Sequence, residues 1–341
     1  MQRCLELAEK GRGHTAPNPM VGCVIVCKGK IIGEGFHRKY GEAHAEVNAI
    51  SSVKDKKLLS QSTLYVNLEP CSHFGKTPPC ADLIISHGIP SVVIGCQDTF
   101  SLVQGRGIQK LIAAGTEVNT GVLEKESREL NKRFFTFHEK KRPYIILKWA
   151  ETADGFMDSI RRPEASPLKI SSAESQQLLH TWRSQEQAIL VGTGTALLDN
   201  PQLTVRNIPG NNPLRLVLDA SHKIPDHFHL KDGSTPTIVY TSQELPGKIN
   251  LDYVSVTFSS RQSTLEAVLN DLYIRSIQSL LVEGGPALLR SFLNLGLWDE
   301  LRVFKAGFTC GTGISAPQKP DQPASIVQSG NDQLLLYRKI I

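Results

Sequence analysis

His44, Glu46, Cys71 and Cys80 are the residues of this chain whose types and spacing can do chemistry. One imidazole and two thiolates make three zinc-type ligands, and a catalytic zinc site keeps its fourth position for water. Glu46 stands two residues after the histidine, where a carboxylate can sit beside that water and shuttle its protons without binding the metal. The set therefore points to metal-assisted hydrolysis. A purely structural zinc site normally closes with four ligands, and the only nearby fourth candidate is His73.

Local patterns place these residues on definite elements. Val47 and Ile50 fall at helical spacing after His44, so His44 and Glu46 open a helix over 44–53. Residues 63–68 read as a strand ending at Glu69-Pro70-Cys71, and Pro78-Pro79 precede a second helix over 80–87. Cys71 then hangs from a strand end, and two helix N-termini face the metal, where their dipoles favour thiolate. Residues 21–26 and 31–32 flank Lys28-Gly29-Lys30 as a hairpin. Further strands are expected over 91–95 and 117–120, with helices over 108–114 and 124–135. Strand–helix alternation predicts a largely parallel sheet covered on both faces.

Composition narrows the class. The chain has 341 residues, 40% hydrophobic and 21% charged, which suits two globular domains. The net charge of +5 is too mild to select a partner. Seven cysteines in no regular disulfide spacing argue for a reducing compartment, hence a cytoplasmic protein. The amphipathic start at Leu5, Leu7 and Ala8 is not a signal peptide, and no apolar run reaches the ~20 residues of a membrane span. The basic run 138–143, ending in Pro143, marks a solvated boundary between domains at 1–140 and 143–341.

The order H-x-E…P-C is that of zinc deaminases, whose general pattern closes with C-x-x-C. Here Cys71 and Cys80 are nine positions apart. The stretch Pro70-Cys71-Ser72-His73-Phe74-Gly75-Lys76-Thr77-Pro78-Pro79-Cys80 resembles the deaminase half of the bifunctional riboflavin-biosynthesis deaminase/reductase. So do Pro17-Asn18-Pro19-Met20-Val21-Gly22 and Gly33-Glu34-Gly35-Phe36-His37. The resemblance implies a cytidine-deaminase-like α/β/α sandwich, zinc on His44, Cys71 and Cys80, catalysis by Glu46, and substrate contacts from Asn18, His37 and Lys76, the last toward a phosphate.

The second half opens on a strand at 144–147. Ser171-x-x-Glu174 reads as a capping box for a helix through Trp182. Strands are expected over 188–191, 214–219, 237–241, 279–282 and 301–305, and helices over 264–273 and 287–295, with Pro286 in a first turn. The proline-bearing stretch 315–325 reads as a mobile loop. Gly284-Gly285-Pro286 and Gly192-Thr193-Gly194-Thr195 either cradle phosphates or serve as ordinary turns, and neither is a Rossmann fingerprint.

This half resembles the reductase domain of the same bifunctional family through Leu147-Lys148-x6-Gly155, the segment 196–206 and Val282-Glu283-Gly284-Gly285-Pro286. That implies a dihydrofolate-reductase-like α/β fold using NADPH. Glu151, Thr195, Asp199, Gly285 and Pro286 would then line the cofactor, and Arg183, Leu203, Arg206 and Glu283 would meet the substrate. Both arginines suit phosphate. One departure is Lys169, a cofactor-side position where many members carry Trp; it offers a charge in place of a stacking face.

The resemblance implies two steps on a small phosphorylated pyrimidine. The ring amine is first hydrolysed, and NADPH then reduces the ribosyl group to ribityl. It also implies a homo-oligomer. A nucleic-acid base deaminase would show a C-x-x-C closure and a basic, aromatic-bearing second half, and neither is present.

Overall fold

The structure, a computed structural model, describes residues 1–72, 78–100, 104–162 and 165–339. The chain divides into two units, Met1–Lys141 and Arg142–Ile341.

The first unit runs α1 (Gln2–Glu9), β1 (Gly22–Cys27), β2 (Lys30–Phe36), α2 (Ala45–Ser52), β3 (Ser62–Leu68), α3 (Cys80–Ser86), β4 (Ser91–Cys96), α4 (Arg106–Ala113), β5 (Glu117–Thr120), α5 (Glu124–Leu130) and α6 (Lys132–Lys140). Its five strands lie in the order β2-β1-β3-β4-β5. Lys28 (φ 48) and Gly29 (φ 75) turn the β1–β2 hairpin in the left-handed conformation that matches strand twist. The period of two divides the apolar residues between faces. Cys23, Ile25, Leu64 and Val66 meet Ala49 and Ile50 of α2 and Ile84 of α3, while Val24 meets Cys4 and Leu7 of α1 on the other face. Phe134 and Phe135 of α6 cover Leu68 and Cys96. The result is an α/β/α sandwich.

Two expectations change here. The sheet is mixed, because β1 pairs antiparallel with both β2 and β3 and only β3, β4 and β5 run parallel. The expected helix over 124–135 is two helices that break at Asn131. The buried Asn131 side chain accepts from Met20 N at 2.8 Å and donates to Met20 O at 2.9 Å. That tertiary clamp outweighs local helix preference.

The second unit contains β6 (Tyr144–Glu151), β7 (Phe156–Asp158), α7 (Ala173–Gln185), β8 (Ala188–Gly192), α8 (Thr193–Asp199), β9 (Leu214–Leu218), β10 (Thr237–Thr241), β11 (Leu251–Ser255), α9 (Arg261–Ile274), β12 (Ser279–Val282), α10 (Pro286–Asn294), β13 (Glu300–Lys305), β14 (Ile314–Ser315), β15 (Ser325–Ser329) and β16 (Asp332–Arg338). Nine strands form one sheet in the order β11-β10-β9-β8-β12-β6-β13-β16-β15. All neighbours from β11 to β13 are parallel, and β16 and β15 close the edge antiparallel. One face packs Ile145, Leu147 and Leu190 against α9 and α10 through Leu265, Val268, Leu289 and Phe292. The other packs Ile146, Ile189 and Val191 against Ala196 of α8, and Phe304 against Leu179 and Trp182 of α7.

The cap of α7 is Ser172, one residue later than expected, and its hydroxyl accepts from Ser175 N at 3.2 Å. Ser172 N also donates to Asp332, a partner 160 residues away that no local pattern reveals. The stretch 315–325 is held in place. Ala316 N bonds Gly155 O, Lys319 reaches Glu151 at 2.7 Å, and Ala324 N bonds Leu336 O. Among the described residues no helix is long and apolar enough to cross a membrane.

Candidate active sites

The first unit brings three donor atoms together from two helix starts and a strand exit. His44 is the N-cap of α2, Cys71 follows β3, and Cys80 is the first residue of α3. His44 Nδ1 lies 3.6 Å from Cys71 Sγ and 3.3 Å from Cys80 Sγ. All three atoms lie within 4.8 Å of one another. Tetrahedral zinc with ordinary bond lengths needs N–S edges of about 3.6 Å and an S–S edge of about 3.8 Å. The donor set fits zinc in chemistry and in size.

Cys71 is pushed down to about 4, first by the hydrogen bond from the Cys80 thiol and then, against burial, by His44. Cys80 is pushed up by Cys71 and by burial. His44 is raised chiefly by Cys71. Cys80 N also donates to Cys71 Sγ at 3.3 Å, so a helix start supports the thiolate.

Glu46, in the first turn of α2, is only 3% exposed. Burial pushes its carboxyl up to about 6, and the Cys71 charge adds to this. His37 is buried, with its ring in an edge arrangement 5.5 Å from that of His44. His37 Nδ1 donates to Ala43 O at 3.1 Å, which leaves Nε2 to accept from Asn18 Nδ2 at 3.2 Å. Asn18 and His37 thus stand together beside the donor triangle. Lys76 and His73 lie outside the described residues.

In the second unit, Arg183 of α7 forks onto Glu283 at the exit of β12. Nε meets Oε1 at 2.8 Å and Nη2 meets Oε2 at 2.7 Å, while Nη1 donates to Thr204 O at 3.1 Å. The Arg183 fork therefore presents Glu283 and is not turned wholly toward a phosphate. A cavity of about 520 Å³ lies against Glu283, lined also by Lys148, Met157, Lys169, Gln176 and Asp199 among others. Lys148 is buried in β6, and its ammonium is held below the ordinary lysine range by burial, with Arg183 adding and Glu283 opposing.

Of the other expected positions, Asp199 and Lys169 line this cavity, and Thr195, Gly285, Pro286, Glu151, Leu203 and Arg206 are not among its lining residues. Asp199 ion-pairs with Arg161, which also bonds Asp158 at 2.7 Å. Thr195 of α8 abuts Gly285, where an added Cβ would stand 2.9 Å from Thr195 Oγ1. Gly285 caps α10 and Pro286 opens it. An added Cβ at Gly194 would meet nothing within 4 Å. Glu151 is turned elsewhere: it accepts from Trp149 Nε1 at 2.9 Å and from Lys319. Leu203 as a whole is 3% exposed and packs in the core, with φ 54. Arg206 donates through Nη1 to Gln202 and Thr204, and its backbone N–H donates to His180 Nδ1 at 3.2 Å.

Sequence reasoning missed Lys148, Arg161 and Lys319 as charged members of this region. Lys148 carried a signal, since a lysine within Tyr144-Ile145-Ile146-Leu147-Lys148-Trp149 interrupts a buried strand. The other two find partners 38 and 168 positions away, beyond any local pattern.

Comparison with known proteins separates the chain along the same line. Residues 1–96 match the cytidine and deoxycytidylate deaminase zinc-binding region, and residues 143–333 match the RibD C-terminal domain. The riboflavin biosynthesis protein RibD of Aquifex aeolicus is 43% identical over 318 residues, which are 92% of this chain and 88% of that protein. That of Escherichia coli is 37% identical over 325 residues, 90% of this chain and 86% of that one. Among solved structures, a diaminohydroxyphosphoribosylaminopyrimidine deaminase/5-amino-6-(5-phosphoribosylamino)uracil reductase from Thermotoga maritima has a TM-score of 0.88 at 38% identity, covering 100% of this chain and 97% of its own. Acinetobacter baumannii RibD also reaches 0.88, at 31% identity over 99% of this chain and 97% of its own.

Proposed function

Because the chain belongs to the RibD family of bifunctional riboflavin-biosynthesis deaminase/reductases, we propose that its first unit, through residue 140, carries the deaminase and its second unit, from residue 143, the reductase. The protein is an enzyme of riboflavin biosynthesis. It hydrolyses the amine of the phosphoribosylamino diaminopyrimidine and then reduces the ribosyl group of the product to ribityl.

The carrying observation is the donor triangle of His44, Cys71 and Cys80 with the buried carboxylate of Glu46 beside it. In our reading these three residues hold zinc. Zinc when bound lowers the pKa of a water toward ~7, and NADPH when bound supplies hydride. Glu46 takes a proton from the water as its oxygen bonds the amino-bearing ring carbon. The same carboxylate passes that proton to the ring nitrogen and then carries the remaining hydroxyl proton to the departing amine, so the C–N bond breaks, a carbonyl forms and ammonia leaves. Asn18 and His37 orient the pyrimidine, and Lys76 reads its phosphate.

In the second unit Glu283, fixed by Arg183, receives the hydrogen-bond donors of the deaminated pyrimidine. Arg206 faces the phosphate, and the backbone at Leu203 supports the substrate. Thr195, Gly285, Pro286, Asp199 and Lys169 form the cofactor side. Glu151 acts on that side through Lys319 and Trp149. The task of these groups is to align donor and acceptor.

The same reading places the enzyme in the cytoplasm, as the cysteine usage supports, acting on a small molecule and not on nucleic acid. It also makes the protein a homo-oligomer; exposed Ile326 and Val327 on the edge strand β15 support self-association. The experiment is to give zinc-loaded protein the diaminopyrimidine substrate, follow ammonia, then add NADPH and follow its oxidation. Ammonia followed by stoichiometric NADPH loss is expected. Ammonia without NADPH loss sinks the reductase assignment, and no ammonia from a zinc-bound sample sinks the substrate assignment.

A further inference from the structure

Glu69 sits at the exit of β3, one residue before Pro70-Cys71, and is 4% exposed. Its two carboxylate oxygens accept four backbone N–H groups. Oε2 takes those of Asp98 at 3.2 Å and Gly105 at 3.0 Å; Oε1 takes those of Gly107 at 3.0 Å and Ile108 at 3.3 Å. Its own N–H donates to Cys96 O at 3.0 Å. Asp98, just after β4, and the residues opening α4 are thus gathered on one side chain. They also press on the metal loop directly, since a Cβ added at Gly107 would stand 2.0 Å from Pro70 O.

Nothing in metal chemistry asks for this carboxylate, and it touches none of the three donor atoms. Its position does. Pro70 has a fixed φ and lies between Glu69 and Cys71, so little slack separates the clamp from the thiolate. On its other side, Cys71 O accepts from Ala81 N at 3.1 Å, which ties Cys71 itself to the first turn of α3.

We propose that Glu69 is a positioning residue of the deaminase metal site: by clamping the exit of β3 to the residues opening α4, it sets where Cys71 Sγ stands relative to His44 and Cys80. The inference rests on reading Cys71 as a zinc ligand. Groups that orient a ligand from behind typically change metal affinity by 10- to 100-fold when lost. A glutamine at 69 keeps the shape but turns an NH₂ toward two of the four backbone donors.

The test uses the full chain. Zinc affinity is measured by competition with a chromogenic chelator, and the cobalt-substituted protein supplies the thiolate-to-metal absorption bands. Glu69→Gln should lose about 10- to 100-fold in zinc affinity, with displaced cobalt bands and wild-type amide protection of β3 and β4 before metal is added. Gly107→Ala, which pushes on Pro70 and leaves the carboxylate intact, should move both readouts in the same direction. Cys71→Ser is the reference. If it keeps wild-type zinc affinity, the ligand assignment falls. If it loses zinc while Glu69→Gln keeps wild-type affinity and spectrum, the clamp alone falls. Loss of zinc by Glu69→Gln only together with loss of amide protection in the metal-free protein would assign Glu69 to the fold and overturn the proposal.

Discussion

Replacing Arg183 by methionine tests the reasoning about the second site at its most exposed point. The Arg183 and Glu283 side chains are 9% and 8% exposed and share two hydrogen bonds of 2.8 and 2.7 Å. Burial works against the Glu283 charge, but Arg183 and then Lys148 outweigh it and hold the carboxyl below its ordinary range. A depressed carboxyl stabilises the fold above its unfolded pKa of ~4.3, and that contribution is lost as pH falls through the folded value. Methionine leaves the buried carboxylate with Lys148 and, more weakly, His180 as its remaining cationic neighbours. Breaking a buried pair costs about 3–5 kcal/mol, and the remaining lysine places the expectation near ~3 kcal/mol at pH 7.5.

The sign of the pH dependence then reverses. With burial no longer outweighed, the folded pKa of Glu283 rises above the unfolded one. The penalty is full at high pH and shrinks as pH falls toward ~4.3. Trp149, Trp182 and Trp298, the three tryptophans of the chain, all lie in the second unit, so urea unfolding read by tryptophan fluorescence reports that unit alone. The double variant Arg183→Met with Glu283→Gln should recover most of the loss. A loss under ~1 kcal/mol, a loss that does not change with pH, or a double variant no more stable than the single one would refute the argument.

Three further outcomes are expected. Removing zinc with dipicolinate should abolish ammonia release and leave NADPH oxidation on the deaminated substrate unchanged; equal loss of both would place zinc outside the first unit's chemistry. His138 is pushed down to about 4 by burial, with Lys141 adding, among the rings of Phe100, Phe134 and Phe137. The unfolded chain binds more protons between that value and ~6.5, so stability falls as pH drops through this window. His138→Phe should spare about 1–2 kcal/mol of that loss after discounting partial exposure, read by amide exchange of α6; an equal acid loss in both proteins would contradict it. Asp98, pushed up to about 6 by burial, acts with the opposite sign and cancels in the comparison. Lys319→Met should destabilise the second unit by about 1–3 kcal/mol and alter Trp149 emission, because Glu151 then keeps only Trp149 Nε1 of its two partners described above; unchanged urea curves would show that Lys319 does not anchor Glu151.

What the sequence made legible follows from range. The helix starts at His44 and Cys80 come from local periodicity and paired prolines, so the elements that gather the donor triangle were readable before any fold was known. The hairpin at Lys28-Gly29 is also local chemistry. What failed was decided at distance. Asn131 breaks a helix because Met20 needs its amide, Ser172 displaces Ser171 as a cap because Asp332 and Ser329 hold it, and Lys319 turns a proline-bearing stretch into an anchored strap. The mixed sheet was missed because the antiparallel β1–β3 pairing leaves no trace in apolar alternation. Lys148 shows the intermediate case: its oddity within a buried strand was visible, but its proximity to Arg183 and Glu283 came only with the fold.

The division of the two activities between the units is tested most directly by Glu46→Gln and Glu283→Gln, each assayed for both steps in the full-length protein. Glu46→Gln should lower ammonia release by about 10²- to 10⁴-fold, keep its zinc, and oxidise NADPH at the wild-type rate when given the deaminated intermediate. Glu283→Gln should release ammonia normally and lose the NADPH step. If either variant loses both activities while both units remain folded, or if Glu46→Gln still releases ammonia at the wild-type rate, the assignment of one reaction to each unit is wrong.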